Sequence, residues 1–222
     1  MSTYIAERRE EEKERRRAEI LDAAETLYAK KGWDALTVDQ VARSARLSRA
    51  LVYVYFRDKE ELLFAIGERA MRLLRDRFTA AAATHAQGLD KMEAIGRAYM
   101  GYAYEFPHYF DFCTRFQAHS APLDPGSHEG GAQIAGDEVL GVVVAAIDAG
   151  IRDGSIRADV GPPMMLATTL WAFTHGIIQL AMAKGSELAR SGIDIPALSN
   201  YAFGLIRGIA QNPVPATAGK VQ

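Results

Sequence analysis

Residues 37–56 read TVDQVARSARLSRALVYVYF, and their spacing decides the fold. The segment Thr37-Val-Asp-Gln40 fits a capping box: the threonine hydroxyl accepts from a free helix amide, and the glutamine reaches back. Val38, Val41, Ala42 and Ala45 follow at helical spacing and supply the buried side of a short helix. Arg46, Leu47 and Ser48 turn the chain, and Ser48 is placed to cap a third helix ending near Phe56. On that helix the wheel puts Val52, Tyr55 and Phe56 inward and Arg49, Ala50, Tyr53 and Val54 outward. Two short helices joined by a tight turn, the second with a polar outer face, make a helix-turn-helix candidate.

The outer face has the chemistry that reading a DNA duplex needs. Arg49 can bond a guanine edge with two parallel N–H donors. Tyr53 can reach a phosphate or a thymine methyl group. Ala50 is small enough to let the helix enter a groove, and Val54 can touch a methyl. Thr37, Ser48 and Lys59 stand at helix N-termini, where amides and side chains bind phosphate. From spacing alone, a three-helix packing unit with no ligand fits equally well.

Outward from this segment the pattern stays helical. Gly and Pro cluster at residues 122–131, 153–163, 185–196 and after Asn212, and no alternating strand appears between them. The fold class is all-α. A first helix is expected over residues 17–31, with Ile20, Ala24 and Leu27 on one face and Gly32 as its stop. Residues 1–17 are mixed in sign and nearly free of apolar side chains, which predicts a frayed helix or a disordered arm, charged in either case. Asp58 and Glu61 resemble a further cap, opening a long helix over residues 59–84. More helices are expected over residues 89–106, 107–117, 133–153, 163–184 and 196–211. Pro107, Pro163 and Pro196 each suit a first turn, and residues 212–222 read as a disordered tail.

Composition narrows the function classes. The 222 residues carry a net charge of −2 and are 49% apolar, enough for a substantial core. Positive charge is local: residues 37–59 hold five Lys/Arg against two Asp/Glu. Phosphate contacts act within a Debye length, so a local basic face is sufficient. Cys113 is the single cysteine, which excludes an intrachain disulfide and fits a reducing, cytoplasmic setting. The charged N-terminus does not read as a secretory signal. The run 164–183 is long and apolar enough to raise a membrane span, but it carries Thr168, Thr169, His175 and Gln179, and a soluble protein is expected. Enzyme chemistry would need a nucleophile with its base, paired carboxylates or a metal cluster. The sequence offers no HExxH, no Cys/His cluster and no glycine-rich phosphate loop, so no catalytic residue, metal or cofactor is assigned.

The stretch 20–66 resembles the DNA-binding domain of the TetR family. Tyr53, Tyr55 and Phe56 match the Tyr-x-Tyr-Phe ending of its recognition helix, and Lys59 matches the lysine three residues later. Thr37 and Ser48 match positions that usually touch the DNA backbone. The resemblance implies a DNA-contact set of Thr37, Ser48, Arg49, Ala50, Tyr53, Val54, Tyr55 and Lys59. Three departures stand out: Arg46 replaces a usual Gly in the turn, Ala50 a frequent Gly, and Val54 a common His. Residues 18–64 then form the DNA-binding domain, and residues 65–211 a helical ligand-sensing and dimerisation domain. Gly150-Ile-Arg152, Asp159 and Leu170-Trp-Ala-Phe-Thr-His-Gly176 resemble a subgroup of TetR sensor domains with a Trp-x-x-x-His-Gly helix. What the resemblance implies is a transcriptional repressor, a homodimer through its last two helices, and a small-molecule effector that releases a near-palindromic operator.

The wheels of the second half fit that expectation. On the helix from Pro163, Leu166, Leu170, Phe173, Ile177 and Leu180 form a side that is core or interface. The opposite side holds Met164, Thr168, Trp171, Ala172, His175 and Gln179, apolar with a few polar groups, as a small-molecule pocket requires. On the last helix Leu198, Ala202, Leu205 and Ile209 share a face, with Gly204 and Gly208 on a neighbouring edge where another helix could approach. A ligand-binding set of Met92, Tyr99, Tyr102, Phe106, Phe110, Phe116, Trp171 and His175 follows. Each aromatic among them also fits ordinary core, and His175 also fits a hydrogen-bonded core histidine.

Overall fold

The computed structural model describes residues 2–116 and 124–211. Among these residues the chain forms nine helices and no strand, with Ile156 and Gln211 paired in an isolated antiparallel bridge. In order they are α1 (Ser2–Lys31), α2 (Val38–Ser44), α3 (Arg49–Tyr55), α4 (Lys59–Ala83), α5 (Gly88–Glu105), α6 (Pro107–Arg115), α7 (His128–Asp153), α8 (Pro163–Arg190) and α9 (Ile195–Ala210). They fall into two compact units: Met1–Leu73 with Glu105–Asp137, and Leu74–Tyr104 with Glu138–Gln222. The division differs from the expected one at residue 64, because α6 and the first turns of α7 belong with the helix-turn-helix. The expected tail at 212–222 lies outside the described residues.

The first unit packs α1 to α3, the first half of α4, and α6. Ile20, Tyr28, Leu36, Val41, Val52, Phe56, Leu62 and Ile66 are buried at its centre. Each such apolar side chain contributes about 1.5–3 kcal/mol by leaving water. Helix α6 is fastened to α1 by polar bonds. Tyr28 donates to Asp111 at 2.7 Å and Tyr109 to Glu25 at 2.5 Å, while Arg115 bonds Asp34 at 3.1 Å. Burial, then the carboxylate each bonds, push both phenols above the usual tyrosine range. Glu25 moves the other way. Burial alone would raise it, but His108, Tyr109 and Arg69 around it outweigh that and hold it below the ordinary carboxylate range.

Three helix limits differ from the sequence expectation. Of the two readings of the charged arm, the helical one holds: α1 begins at Ser2, fifteen residues before Arg17. Glu, Lys and Arg are good helix formers, and Lys13–Glu10, Arg15–Glu12, Arg16–Glu12 and Arg16–Glu19 pair at i,i+3 and i,i+4. Helix α7 starts at His128, through two glycines expected in a loop. Ser127 caps it by accepting from Gly130 at 3.0 Å, and side chains at Gly130 and Gly131 would overlap Asp124 and the Glu68 carboxylate. Helix α8 continues past Lys184 to Arg190 and stops where Gly192 takes φ +74°. There Ile193 donates to the Leu188 carbonyl at 2.9 Å.

The second unit holds the rest of α4 and α7, with α5, α8 and α9. Gly88 lies against the backbone of Gly150 so closely that no side chain fits. The free amides of α5 are met from the α7–α8 connection: Gly88 donates to Asp153 at 2.8 Å and Leu89 to Ser155 at 3.1 Å. Arg207 of α9 bridges Asp90 and Glu93 of α5 at 2.8 and 2.9 Å. Helix α8 turns only Ala167, Thr174, Ile178 and Ala181 fully inward, and α9 turns Ser199, Ala202, Phe203 and Ala210 inward. Of the expected stripes, Ala202 is buried within one chain, while Phe173 and Leu180 on α8, and Leu205 and Ile209 on α9, are exposed.

Candidate nucleic-acid interface and sensor helices

The helix-turn-helix is built by its caps. Thr37 accepts from the Gln40 amide and Gln40 accepts from the Thr37 amide, both at 3.3 Å, completing the capping box. Helix α2 buries Val38, Val41 and Ala42. At the turn Arg46 takes φ +57°, the left-handed region, and it is the one non-glycine residue there among those described. Ser48 accepts from the Leu51 amide at 3.1 Å and opens α3.

Helix α3 is anchored by Val52 and its cap Phe56, both buried. Tyr55 is half-buried, while Arg49, Ala50, Tyr53 and Val54 face solvent. The Arg49 guanidinium donates to the Tyr53 hydroxyl at 3.2 Å and lies 5.5 Å from its ring centre. That bond raises Arg49 further above its ordinary value. Lys59 is less free than its position in the sequence implied. It donates to the Trp33 carbonyl at 2.7 Å and sits 4.6 Å over the Trp33 ring, and burial lowers it from the usual lysine range. Asp58 caps α4 by accepting from Glu61 at 2.8 Å. Two arginines beside the outer face, Arg43 and Arg57, are paired with Asp39 and Asp58. Sequence reasoning missed Trp33 as the seat of Lys59; the aromatic directly after the Gly32 stop was the available signal.

Behind α3 the first unit holds a cavity of about 360 Å³ lined by Phe56, Arg17, Glu68, Arg69, Arg72 and His128, among others. Arg17 donates to His128 Nε2 at 2.7 Å, so that nitrogen carries the lone pair and Nδ1–H donates to Glu68 at 2.9 Å. His128 stacks on Phe56 at 5.9 Å. Half of this lining is charged, and it shares no residue with the expected ligand set.

The expected ligand residues divide between the units. Phe106, Phe110 and Phe116 lie in the first, where Phe106 stacks on Tyr109 at 5.5 Å, Phe110 is buried, and Phe116 meets Phe64 edge-on at 6.0 Å. Met92, Tyr99, Tyr102, Trp171 and His175 lie in the second. There Met92, Tyr99 and Tyr102 are buried. The Tyr99 hydroxyl and His175 Nδ1 are 2.8 Å apart, and Trp171 meets the His175 ring edge-on at 6.2 Å. Desolvation lowers His175 from its ordinary value. Trp171 is 50% exposed in the single chain. Helix α8 is long and apolar enough to cross a membrane by length and composition, with about a fifth of its most apolar window buried.

Residues 20–66 match the family model of bacterial regulatory proteins, tetR family, and residues 92–195 match that of the tetracyclin repressor-like C-terminal domain. The HTH-type transcriptional regulator HbdR of Aromatoleum sp. (strain CIB) is 43% identical over 51 residues, 23% of this chain and 22% of that protein. The HTH-type transcriptional regulator BetI of Rhizobium meliloti (strain 1021) is 35% identical over 82 residues, 37% of this chain and 40% of that protein. The chain thus spans less than half of the length of these curated relatives. Among solved structures, a protein with unknown function from Rhodococcus sp. RHA1 superposes with a TM-score of 0.73 at 23% identity, covering 89% of this chain and 95% of that one. The transcriptional regulator FadR from Bacillus subtilis, solved in complex with stearoyl-CoA, gives 0.66 at 16% identity, covering 87% and 99%. These structures share the fold, and the two family matches together cover more than half of the residues: the chain belongs to the tetR family of bacterial regulatory proteins.

Proposed function

We propose that the protein is a cytoplasmic, dimeric transcriptional repressor that a small, mainly apolar ligand releases from its operator. The observation that carries this reading is α3: a buried anchor of Val52 and Phe56 holds an outer face of Arg49, Ala50, Tyr53 and Val54 against solvent. Such a face fits a major groove, with Arg49 as the guanine reader and Thr37, Ser48, Tyr55 and Lys59 around it toward phosphate. Two copies on one dimer would place their recognition helices about 34–36 Å apart, or a multiple of that, on a near-palindrome. Arg49→Ala is expected to cost about 1–3 kcal/mol and to relax preference at one base pair per half-site. Binding to a randomised set of duplexes checks it, and an unchanged preference would show that the reading face is elsewhere.

The effector reading rests on Trp171, His175, Met92, Tyr99 and Tyr102, with Phe106, Phe110 and Phe116 as the further aromatics of the set. In each unit these side chains are apolar with few hydrogen-bonding groups, which selects a ligand of the same character. A ligand releases DNA only by binding the free conformation better. A hundredfold loss of operator affinity needs about 2.7 kcal/mol of coupling. A stearoyl chain without the charged head, the apolar part of the stearoyl-CoA named with the B. subtilis FadR structure, is a suitable first probe. Trp171→Ala should weaken the response to a binding probe and leave operator affinity without it near normal. If the variant unfolds instead, Trp171 is structural.

A further inference from the structure

Arg49 differs from Arg43 and Arg57 of the helix-turn-helix in what it bonds. Arg43 is neutralised by Asp39 and Arg57 by Asp58. Among the described residues no ion pair involves Arg49; the Tyr53 hydroxyl, one helical turn on, accepts from it at 3.2 Å. The same ring lies under the guanidinium at 5.5 Å. A carboxylate at that position would fix the side chain and cancel its charge. A phenol fixes it and leaves the positive charge whole.

Resting on the reading of Arg49 as the base-contacting residue, we propose that Tyr53 is a positioning residue, which presets the Arg49 guanidinium for bidentate base contact. A free arginine samples many rotamers, and holding it costs free energy on binding that a preset one has already given up. Tyr53 is well placed for this. It is 41% exposed, so its ring is not needed to fill the core. It follows Arg49 by four residues, the spacing at which helix side chains meet. The hydroxyl accepts through oxygen, so its loss removes the orienting bond and keeps the ring.

The test is a double-mutant cycle on full-length protein with Tyr53→Phe, Arg49→Ala and both together. Affinity is measured for the operator, for duplexes altered at the base pair that Arg49 reads, and across salt concentrations. Tyr53→Phe is expected to lower the ratio of specific to altered-site affinity by about three- to tenfold. The slope of affinity against salt should keep its wild-type value, because no phosphate contact is lost. In the Arg49→Ala background, Tyr53→Phe should change base preference no further. A uniform loss over all duplexes with a shallower salt slope, in both backgrounds, would make Tyr53 a direct phosphate ligand and overturn the proposal. No effect of Tyr53→Phe on preference would overturn it as well. If Arg49→Ala itself leaves base preference unchanged, the assignment of Arg49 fails first and takes this role of Tyr53 with it.

Discussion

At the scale of single residues, neighbouring groups decide what a side chain presents. Lys59 and Arg49 are both basic residues at helix starts, yet Lys59 is drawn onto Trp33 while Arg49 bonds the Tyr53 hydroxyl. Sequence spacing identified both and distinguished neither, since the partners come from the folded backbone. His175 shows the same dependence and carries a pH prediction. Its burial disfavours the imidazolium, holding the group below the ordinary histidine value. The unfolded chain, with histidine near pKa ~6.5, then binds more protons than the folded one in mild acid. Stability is therefore expected to fall as pH drops below about 6.5, until His175 protonates in the folded state too. His175→Gln should remove that part of the acid sensitivity. Thermal unfolding of both proteins at pH 7.5 and 5.5 checks it: an equal acid loss in the two would place the sensitivity elsewhere.

At the scale of elements, the sequence is most readable where caps and turns are local. The capping box at Thr37, the Ser48 cap and the inward side of α3 depend on residues within one turn of each other, and all three stand as expected. Legibility failed where a distant group altered a local preference. Glycines at 130 and 131 read as loop, but they open α7 because Asp124 and the Glu68 carboxylate crowd those positions. The wheel of α8 gave a stripe of large residues as core or interface, and within one chain the small Ala167, Thr174 and Ala181 are the ones that face inward with Ile178. Size does not reveal direction when both sides of a helix are apolar. The turn before α3 offers a test of local strain. Arg46 holds a left-handed conformation that costs an L-residue roughly 1–2 kcal/mol and a β-branched one more. Arg46→Val should lower stability by more than about 1 kcal/mol, and Arg46→Gly should be neutral or stabilising, since glycine's flexibility offsets part of the relief. Urea unfolding of both variants measures it. Equal effects would mean that the turn relaxes out of φ +57°.

At the scale of the whole molecule, the chain leaves apolar surface that a soluble monomer rarely carries. On α8, Met164, Met165, Phe173, Leu180 and Met182 are exposed; on α9, Tyr201, Leu205 and Ile209 are exposed, the last by 68%. Exposed apolar side chains in this number mark an interaction surface. A membrane is one way to cover it, by the length and apolarity of α8. A second copy of the chain is the favoured one, because α9 adds open ground where Gly204 and Gly208 have nothing within 4 Å. Bare backbone there lets a partner helix approach closely, as in a two-fold helical bundle. Gly204→Leu with Gly208→Leu is expected to leave the chain folded, since a Cβ at either position has nothing from the rest of its own chain within 4 Å. The same pair should block that approach, shift the protein from dimer to monomer, and abolish operator binding with it, because two recognition helices are needed to span one operator. Light scattering at micromolar concentration reads the assembly, and a gel shift reads the binding. A dimer that survives the double substitution would move the interface away from this edge of α9. A wild-type monomer would remove the dimer, and with it the paired spacing of the recognition helices.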